Sequence, residues 1–326
     1  MRYGILSGAL WGLDTVVLAV ATALVPFLGA DEASLASAVL HDVSCALILL
    51  VYMGVRGRLG DTWRAARTRS GLAVVLGALL GGPIGMSGYL VAINNIGPGY
   101  TAIISTFYPA VGTFLAFIFL KERMHLHQVV ALVIALAAIV YIGYSSTTDD
   151  ATSGSSLVGV LGALACVLGW GSEAVILAWG MKNDVDNETA LQIRETTSGL
   201  VYLLVVAPLA GVLDFTFHAS TSLGTGVLAL AAVAGTASYL FYYKAIDTIG
   251  ASRGMALNIS YSAWTLVLTA LAPTLLDPTA TEPASLLTSD TLRQVGCCVV
   301  ILVSTVLAAT PDWKELRFRR QTAPVG

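Results

Sequence analysis

The chain has 326 residues, of which 56% are apolar and 11% are charged, and its formal net charge is -3. Soluble globular domains carry roughly 25% charged residues, so this chain has too little polar surface for a water-exposed fold. It has no basic tract for nucleic acid and no long acidic tail. The cysteines Cys45, Cys166, Cys297 and Cys298 lie in apolar stretches, without the spacing of a disulfide framework or a metal site. The composition therefore indicates an integral membrane protein.

Ten segments are apolar enough to cross a bilayer, which takes roughly 20 residues in a helix. The first, which ends at Leu28, resembles a signal peptide with a cleavage site at Ala19-Val20-Ala21, but its apolar run is long enough to span. Continuous apolar runs argue against a transmembrane barrel, whose strands alternate. The predicted fold class is an all-α integral membrane protein with ten transmembrane helices. They are expected at 3–28, 33–54, 71–93, 99–120, 125–144, 156–180, 189–213, 222–246, 251–275 and 291–309.

The distribution of basic residues predicts the orientation. With the N-terminus in the cytoplasm, almost every Lys and Arg falls on the cytoplasmic side; Arg293 is outside and Arg194 lies within a span. The positive-inside rule then predicts that both termini lie in the cytoplasm. We expect a multi-pass protein of the cell membrane. The cytoplasmic set is Arg2, Arg56, Arg58, Arg64, Arg67, Arg69, Lys121, Arg123, Lys182, Lys244, Arg253, Lys314, Arg317, Arg319 and Arg320. The external acids are Asp31, Glu32, Asp149, Asp150, Asp277 and Glu282.

The two halves of the chain resemble each other at matching places. His41-Asp42 is answered by Arg194-Glu195, and Ile96-Gly97 through Tyr108 by Ile249-Gly250 through Tyr261, both at an offset of 153 residues. Trp11-Gly12-Leu13-Asp14 similarly matches Trp170-Gly171-Ser172-Glu173. Because five is odd, a duplicated five-helix unit inserts its second copy upside down. We expect one repeat at 1–148 and a second at 149–326 with a short cytoplasmic tail, joined by the polar stretch 145–156.

Ionisable side chains inside spanning segments are costly and usually face a cavity or a partner. The predicted spans contain Asp14, His41, Asp42, Glu173, Arg194 and Glu195. Trp11 and Asp14 share one helix face because they are three residues apart, as do Trp170 and Glu173. Trp normally prefers the membrane interface, whereas these two lie deep in their segments. The pattern predicts a central site made of two tryptophan–carboxylate pairs.

Aromatic rings and a carboxylate can hold a quaternary ammonium, which donates no ordinary hydrogen bonds, through cation–π attraction. Each ring could instead simply pack between helices. Glu173 is the preferred counter-charge and Asp14 a second one, and either could serve a structural hydrogen bond. His41-Asp42 could be a structural pair or a proton-sensitive gate, and Arg194-Glu195 an internal ion pair or gate. The aromatic candidates are Trp11, Trp170, Tyr108, Tyr239, Tyr242, Tyr243, Tyr261 and Trp264.

Three other features have plainer interpretations. Gly81, Gly82, Pro83 and Gly85 should break or kink the third span, and Tyr108-Pro109 should loosen the fourth. The acidic stretch 182–188 indicates a solvated loop with a helix cap. His125 and His127 beside Glu122 do not form a convincing set of metal ligands, so we expect neither a metal nor a cofactor.

The residues also resemble a known family. Gly97-Pro98-Gly99, Tyr108-Pro109-Ala110 and Phe119-Leu120-Lys121-Glu122 are similar to motifs of the EamA-type drug/metabolite transporter superfamily, which has ten helices in two inverted repeats. A further set of strings resembles the LicB-type choline permeases. It comprises His41-Asp42, 82–86, 169–175, 193–198, Ser238-Tyr239-Leu240 with Tyr242-Tyr243, 258–261 and Trp264-Thr265. That resemblance implies uptake of choline or a close analogue through an aromatic-lined central site.

The leading hypothesis is therefore a secondary transporter that imports a choline-like cation by alternating access, with coupling protons as a possible partner. The alternative is an exporter of amino acids, metabolites or drugs with the same fold, because a fold does not determine the substrate. An intramembrane enzyme using His41 and Asp42 lacks a nucleophile–base constellation. A channel or a passive subunit is a further alternative.

Overall fold

The computed structural model describes residues 1–145, 155–182, 185–276 and 289–311. All regular structure in these residues is helical. The α-helices are α1 (Arg2–Thr22), α2 (Ala33–Val55), α3 (Leu59–Ala65), α4 (Arg69–Leu79), α5 (Ser87–Ser105), α6 (Tyr108–Leu115), α7 (Leu126–Ser145), α8 (Ser156–Met181), α9 (Asn187–Val201), α10 (Ala207–Leu209), α11 (Leu213–Ala219), α12 (Leu223–Ile249), α13 (Ala251–Asn258), α14 (Tyr261–Leu276) and α15 (Ser289–Ala308). Three π-helical segments, Leu80–Met86, Ala116–Leu120 and Tyr202–Val206, continue α4, α6 and α9.

Seven helical stretches among the described residues are long and apolar enough to cross a membrane. The predicted spans 125–144 and 291–309 coincide with two shorter apolar helices, Leu126–Ile142 and Leu292–Ala308. The predicted span 189–213 coincides with α9, its π-helical continuation and α10, and it carries Arg194 and Glu195. The all-helical membrane class is thus confirmed, and the count of ten crossings stays a prediction. The seven stretches are Arg2–Thr22, Ala33–Val55, Arg69–Gly97, Tyr100–Leu120, Ser156–Met181, Leu223–Ile249 and Ala251–Leu271.

Two backbone features recur 153 residues apart. Gly97 has φ 79° and ψ 161°, and Gly250 has φ 89° and ψ 164°, a conformation that is essentially restricted to glycine. After each glycine the helix is interrupted once more, between Ser105 and Tyr108 and again between Asn258 and Tyr261. The same offset therefore relates a rare backbone conformation and a helix break, as well as the sequence matches between the halves.

The two halves are interleaved. Helix α1 packs mainly against α12, α13 and α14 of the second half, and α8 packs mainly against α4, α5 and α6 of the first. Glycines on α1 make this approach possible: a Cβ on Gly4 would lie 2.6 Å from the Leu257 side chain, and one on Gly12 would lie 2.8 Å from Trp264 Cβ. With Gly8 between them these glycines recur every four residues, and small residues at that spacing allow close contact of membrane helices. Trp11 and Trp170 are consequently each carried into the opposite half.

Two predicted helix breaks take specific forms. Gly81, Gly82 and Pro83 lie in the π-helical segment Leu80–Met86, so the helix passes through this region with a wider turn. Pro109 lies in the first turn of α6, where its missing N–H costs nothing.

The first helix ends at Thr22, six residues before the predicted end. The joint at 146–154, Asn183-Asp184, the acids Asp277 and Glu282, and the basic tail from Lys314 to Arg320 lie outside the described residues.

Candidate functional site

A cavity of about 460 Å³ lies between the two halves. Its walls come from α1, α2, α5, α6, α8, α9, α12, α13 and α14 and from the first π-helical segment, and it extends to Thr22 and Ala33 at the connection between α1 and α2. Of the fourteen ionisable and aromatic candidates named from the sequence, eleven line this cavity, and Tyr243, Trp264 and Glu195 do not. The sequence pattern thus identified side chains that the fold brings together from distant positions.

One aromatic group of the cavity centres on Trp170 of α8. Its ring lies 5.6 Å from the ring of Tyr89, in a stacked arrangement, and 5.7 Å from that of Tyr108, edge to face. The indole Nε1 donates a hydrogen bond of 3.0 Å to the carbonyl oxygen of Gly81 in the π-helical segment. Trp170 is therefore fixed in both position and orientation by the first half of the chain.

A second aromatic group centres on Trp11 of α1. Its ring lies 4.9 Å from that of Tyr239 and 6.5 Å from that of Tyr261, both edge to face. Each deep tryptophan thus packs against tyrosines of the opposite half, and Tyr108 and Tyr261 are related by the 153-residue offset. The cavity is consequently flanked by two aromatic groups of similar design.

The remaining aromatic candidates occupy different environments. Tyr242 lines the cavity, whereas Tyr243 is fully buried and packs against the rings of Tyr239 and Tyr242 at 6.3 Å each. Trp264 packs over Gly12 on α1, and its indole Nε1 is buried without a hydrogen-bond partner among the described residues. The structure therefore places Trp264 in a helix–helix contact rather than in the cavity wall.

Arg194 links three carboxylates. Its Nε donates to Glu173 Oε1 at 3.0 Å and its Nη1 to Glu195 Oε1 at 2.9 Å. Nη1 also lies 3.9 Å from Asp42 Oδ2, and the guanidinium carbon lies 4.7 Å from the centroid of the Tyr239 ring. The preferred counter-charge, Glu173, is thus already engaged by an arginine on α9.

His41 links the remaining acid to the same cluster. Its Nε2 lies 2.9 Å from Asp14 Oδ1, and its Nδ1 lies 3.7 Å from Asp42 Oδ1. With the carboxylates ionised, Asp14, Asp42, Glu173 and Glu195 exceed the charge of Arg194 by three, or by two when His41 is protonated. Buried charge is costly unless paired, so this cavity is suited to a cationic guest.

Three residues of the site were not among the candidates predicted from the sequence. Tyr89 stacks on Trp170, Asn258 donates through Nδ2 to Tyr108 Oη at 3.1 Å, and Ser198 donates a short hydrogen bond to Asp42. Tyr89 lies 153 residues before Tyr242, so the offset that related the other tyrosines could have identified it. Asn258 and Ser198 lie in the strings 258–261 and 193–198 that resemble the LicB-type permeases, but their two polar contacts depend on helix packing and could not be read from those strings.

Polar contacts outside the cavity also tie the halves together. Glu122 accepts hydrogen bonds from the backbone N–H of Ala251 at 2.9 Å and of Ser252 at 3.0 Å, at the first turn of α13. It is thus a helix cap. Asp186 caps α9, as the sequence predicted for this loop, and binds Arg58 Nη2 at 2.7 Å. Burial acts to raise the pKa of Asp186, but hydrogen bonds from Thr189 and Arg58 outweigh it and lower that pKa.

Known proteins resemble this chain in sequence and in fold. Protein LicB of Haemophilus influenzae is 29% identical over 199 residues, which cover 59% of this chain and 64% of that protein, less than two thirds of its length. One solved crystal structure shares the fold over 94% of this chain and 96% of its own, with a TM-score of 0.65 and 15% identity. Residues 2–144 match the model of the EamA-like transporter family. The resemblance to this family that the sequence motifs indicate is thereby confirmed over residues 2–144.

Proposed function

We propose that this protein is a secondary transporter of a small organic cation, with choline or a similar quaternary ammonium as its cargo. The observation that carries the proposal is a cavity lined by two tryptophan-centred aromatic groups and three carboxylates, with Glu195 behind Arg194, against one arginine and one histidine among the described lining residues. The similarity to LicB and the resemblance to the LicB-type choline permeases support the same substrate class.

The chemistry of the cavity favours a cation that cannot donate hydrogen bonds. An aromatic face attracts a desolvated cation by about 2 kcal/mol, and the rings of Trp11, Trp170 and Tyr108 are available in the cavity wall. The excess of carboxylates adds a long-range attraction, which is stronger in the low-dielectric surroundings of a buried site than in bulk water. A quaternary ammonium gains both contributions without leaving a polar hydrogen unsatisfied.

Transport proceeds by alternating access in this proposal. The offset that relates Gly97 to Gly250 and Tyr108 to Tyr261 supports an internal repeat, and two inverted repeats can rock around a central site. In the cell membrane, with both termini in the cytoplasm, an inside-negative potential favours cation import by about 2.3 kcal/mol per charge per 100 mV. His41 and Asp14 are the candidates for carrying a coupled proton, with Asp42, Arg194 and Glu195 completing the gating network.

The test is uptake of labelled choline into proteoliposomes that contain the purified protein. We expect Trp170→Ala to reduce the apparent affinity by about thirtyfold, the equivalent of about 2 kcal/mol. Glu173→Gln should weaken uptake as well. Trp179→Ala, on the same helix and outside the cavity wall, is the matched control and should transport normally. Uptake that neither cavity substitution weakens would overturn the site, and no choline uptake at all would overturn the substrate.

The alternative is an exporter of an amino acid, metabolite or drug built on the same fold. A thermal-shift screen of the purified protein separates the two. Stabilisation by quaternary ammonium compounds and not by zwitterionic amino acids supports the cation transporter, and the reverse pattern supports the exporter. Neither function requires a bound cofactor or a catalytic residue.

A further inference from the structure

The connection between α2 and α4 carries an unusual set of exposed side chains. We call residues 56–69 the basic corner: it contains Arg56, Arg58, Arg64, Arg67 and Arg69, with Asp61 as its one acidic residue. Helix α3 forms its centre. Both flanking helices belong to stretches that are long and apolar enough to cross a membrane, so the basic corner lies at the membrane–water boundary.

One face of α3 is exposed and amphipathic. Leu59 and Trp63 are four residues apart and are 42% and 64% exposed. Arg67, four residues further on, lies with its guanidinium carbon 4.1 Å from the centroid of the Trp63 ring. A tryptophan that has an arginine against one ring face and is otherwise largely exposed is typical of side chains at the headgroup level of a bilayer.

The basic corner is held rigidly against α4. Thr68 donates through its hydroxyl to the carbonyl oxygen of Ala65 at 2.7 Å and accepts from the N–H of Gly71 at 3.0 Å. Gly71 approaches the backbone of Ala65 so closely that a Cβ there would overlap its carbonyl oxygen. The exposed face of α3 is therefore presented in a defined orientation instead of on a loose loop.

The arginines of the basic corner divide into two groups. Arg56 and Arg58 bind Glu188 at 2.6 Å and 2.5 Å, and Arg58 also binds Asp186, so these two are neutralised by the second half of the chain. Arg64, Arg67 and Arg69 are exposed, and Arg64 shares Asp61 with Arg58. The exposed face thus keeps an excess of positive charge beside an uncovered tryptophan.

The second half of the chain offers an internal comparison. Helix α11 begins 154 residues after α3, and its Phe217 takes the place of Trp63 with 60% exposure. The sequence 207–223 around it contains no Lys or Arg. An exposed aromatic residue recurs in both connections, and the positive charge is confined to the basic corner.

We propose that the basic corner is a docking surface for anionic lipid headgroups of the adjacent leaflet, with Trp63 inserted at headgroup level and Arg64, Arg67 and Arg69 bound to lipid phosphates. Juxtamembrane arginines attract anionic lipids over a Debye length, and a guanidinium binds phosphate oxygens in a bidentate manner. This surface is separate from the cavity, and the proposal does not depend on the cargo.

The test uses the full-length protein in phosphatidylcholine vesicles that contain a matched fraction of brominated phosphatidylglycerol or brominated phosphatidylcholine. The difference in fluorescence quenching between the wild type and Trp63→Phe isolates Trp63 from the other tryptophans. We expect the anionic quencher to be more efficient by about twofold or more, because arginines concentrate anionic lipid locally. The ratio should fall to about one when Arg64, Arg67 and Arg69 are replaced by Gln, or in the wild type at high salt.

The matched control moves the tryptophan to position 217 in α11, in the double variant Trp63→Phe/Phe217→Trp. For this tryptophan the ratio of quenching by the anionic lipid to quenching by phosphatidylcholine should be close to one. A ratio near one for Trp63 in the wild type would overturn the proposal, as would a ratio that neither salt nor the arginine substitutions change. Trp63 that is quenched by neither lipid would overturn it too, and would indicate that the exposed face binds a soluble partner.

Discussion

The Nε of Arg194 lies 3.0 Å from Oε1 of Glu173, so the carboxylate best placed to face a bound cation is held by an arginine from the next helix. A cation entering the cavity therefore meets a charge network and not a lone acid. The position of Glu173 depends on Arg194, and any change in one is transmitted to the other.

Replacing Arg194 by Gln should destabilise the protein strongly. The substitution leaves Glu173 and Glu195 buried without their shared partner, and breaking a buried ion pair on one side costs about 3–5 kcal/mol. Thermal unfolding in detergent measures the loss. The double variant Arg194→Gln/Glu173→Gln should recover part of it, because one unpaired charge is removed. A single variant that unfolds at the wild-type temperature would contradict the network.

Gly81→Ala should displace the Glu173 side chain. A Cβ at Gly81 would overlap the Glu173 carboxylate, so the pair with Arg194 cannot keep its geometry. We expect a loss of about 1–3 kcal/mol in the free energy of unfolding, as for overpacking of a core, together with weaker ligand binding. Gly226→Ala is the matched control, because a Cβ there meets nothing within 4 Å. Equal behaviour of the two variants would argue against the predicted clash.

The two deep tryptophans should respond differently to phenylalanine. Trp170→Phe removes the hydrogen bond from Nε1 to the Gly81 carbonyl oxygen and should cost about 0.5–1.5 kcal/mol in stability. Trp11 has no such hydrogen bond among the described residues, so Trp11→Phe should leave the unfolding temperature close to the wild-type value. Both variants keep an aromatic face for a cation. Identical losses in the two variants would show that the Gly81 contact does not distinguish them.

Glu122→Ala should weaken the contact between the halves at α13. Losing the carboxylate that accepts from Ala251 and Ser252 removes a helix cap worth about 1 kcal/mol. Glu122→Gln retains one acceptor oxygen and loses the charge that favours a helix N-terminus, so its loss should be intermediate. The order wild type, Gln, Ala in unfolding temperature is the expected result, and an alanine variant as stable as the wild type contradicts the cap.

The Arg58–Asp186 ion pair predicts a pH dependence. The folded-state pKa of Asp186 lies below its ordinary value of 3.8, so its contribution to stability is present above that value and is lost as the pH falls through the folded-state pKa. Asp186→Asn keeps a capping side chain and removes the charge. It should cost less than about 1 kcal/mol at neutral pH, and the difference from the wild type should shrink as the pH falls below 3.8 and vanish once the pH is below the folded-state pKa of Asp186. A difference that persists there would argue for a role other than charge.

The sequence predicted which residues meet at the central site better than it predicted the contacts between them. Because ionisable residues deep in a span usually face a cavity, Asp14, Asp42 and Glu173 could be predicted to lie at one site. The repeat offset related Tyr108 to Tyr261 in the same way. The sequence could not show that Arg194 lies between the acids, because contacts between helices depend on crossing angles and rotations that hydropathy does not encode.

Trp264 illustrates the same limit. It shares its helix with Tyr261 and follows the same aromatic pattern, yet it packs over Gly12 while Tyr261 reaches the cavity. Residues three apart lie on one side of a helix, so the spacing alone could not distinguish them; the close approach of Gly12 on α1 covers Trp264 and leaves Tyr261 at the cavity. The predicted break at Gly81 and Pro83 is likewise a wider π-helical turn, because the segment keeps its backbone hydrogen bonds by widening instead of ending.

The glycine face of α1 has a consequence for how the chain is assembled. Gly4 and Gly12 find their partners, Leu257 and Trp264, only in α13 and α14, near the other end of the chain. Helix α1 is therefore synthesised well before the side chains that its glycines contact. The cavity wall is complete only once α13 and α14, which carry Asn258 and Tyr261, have joined the other helices.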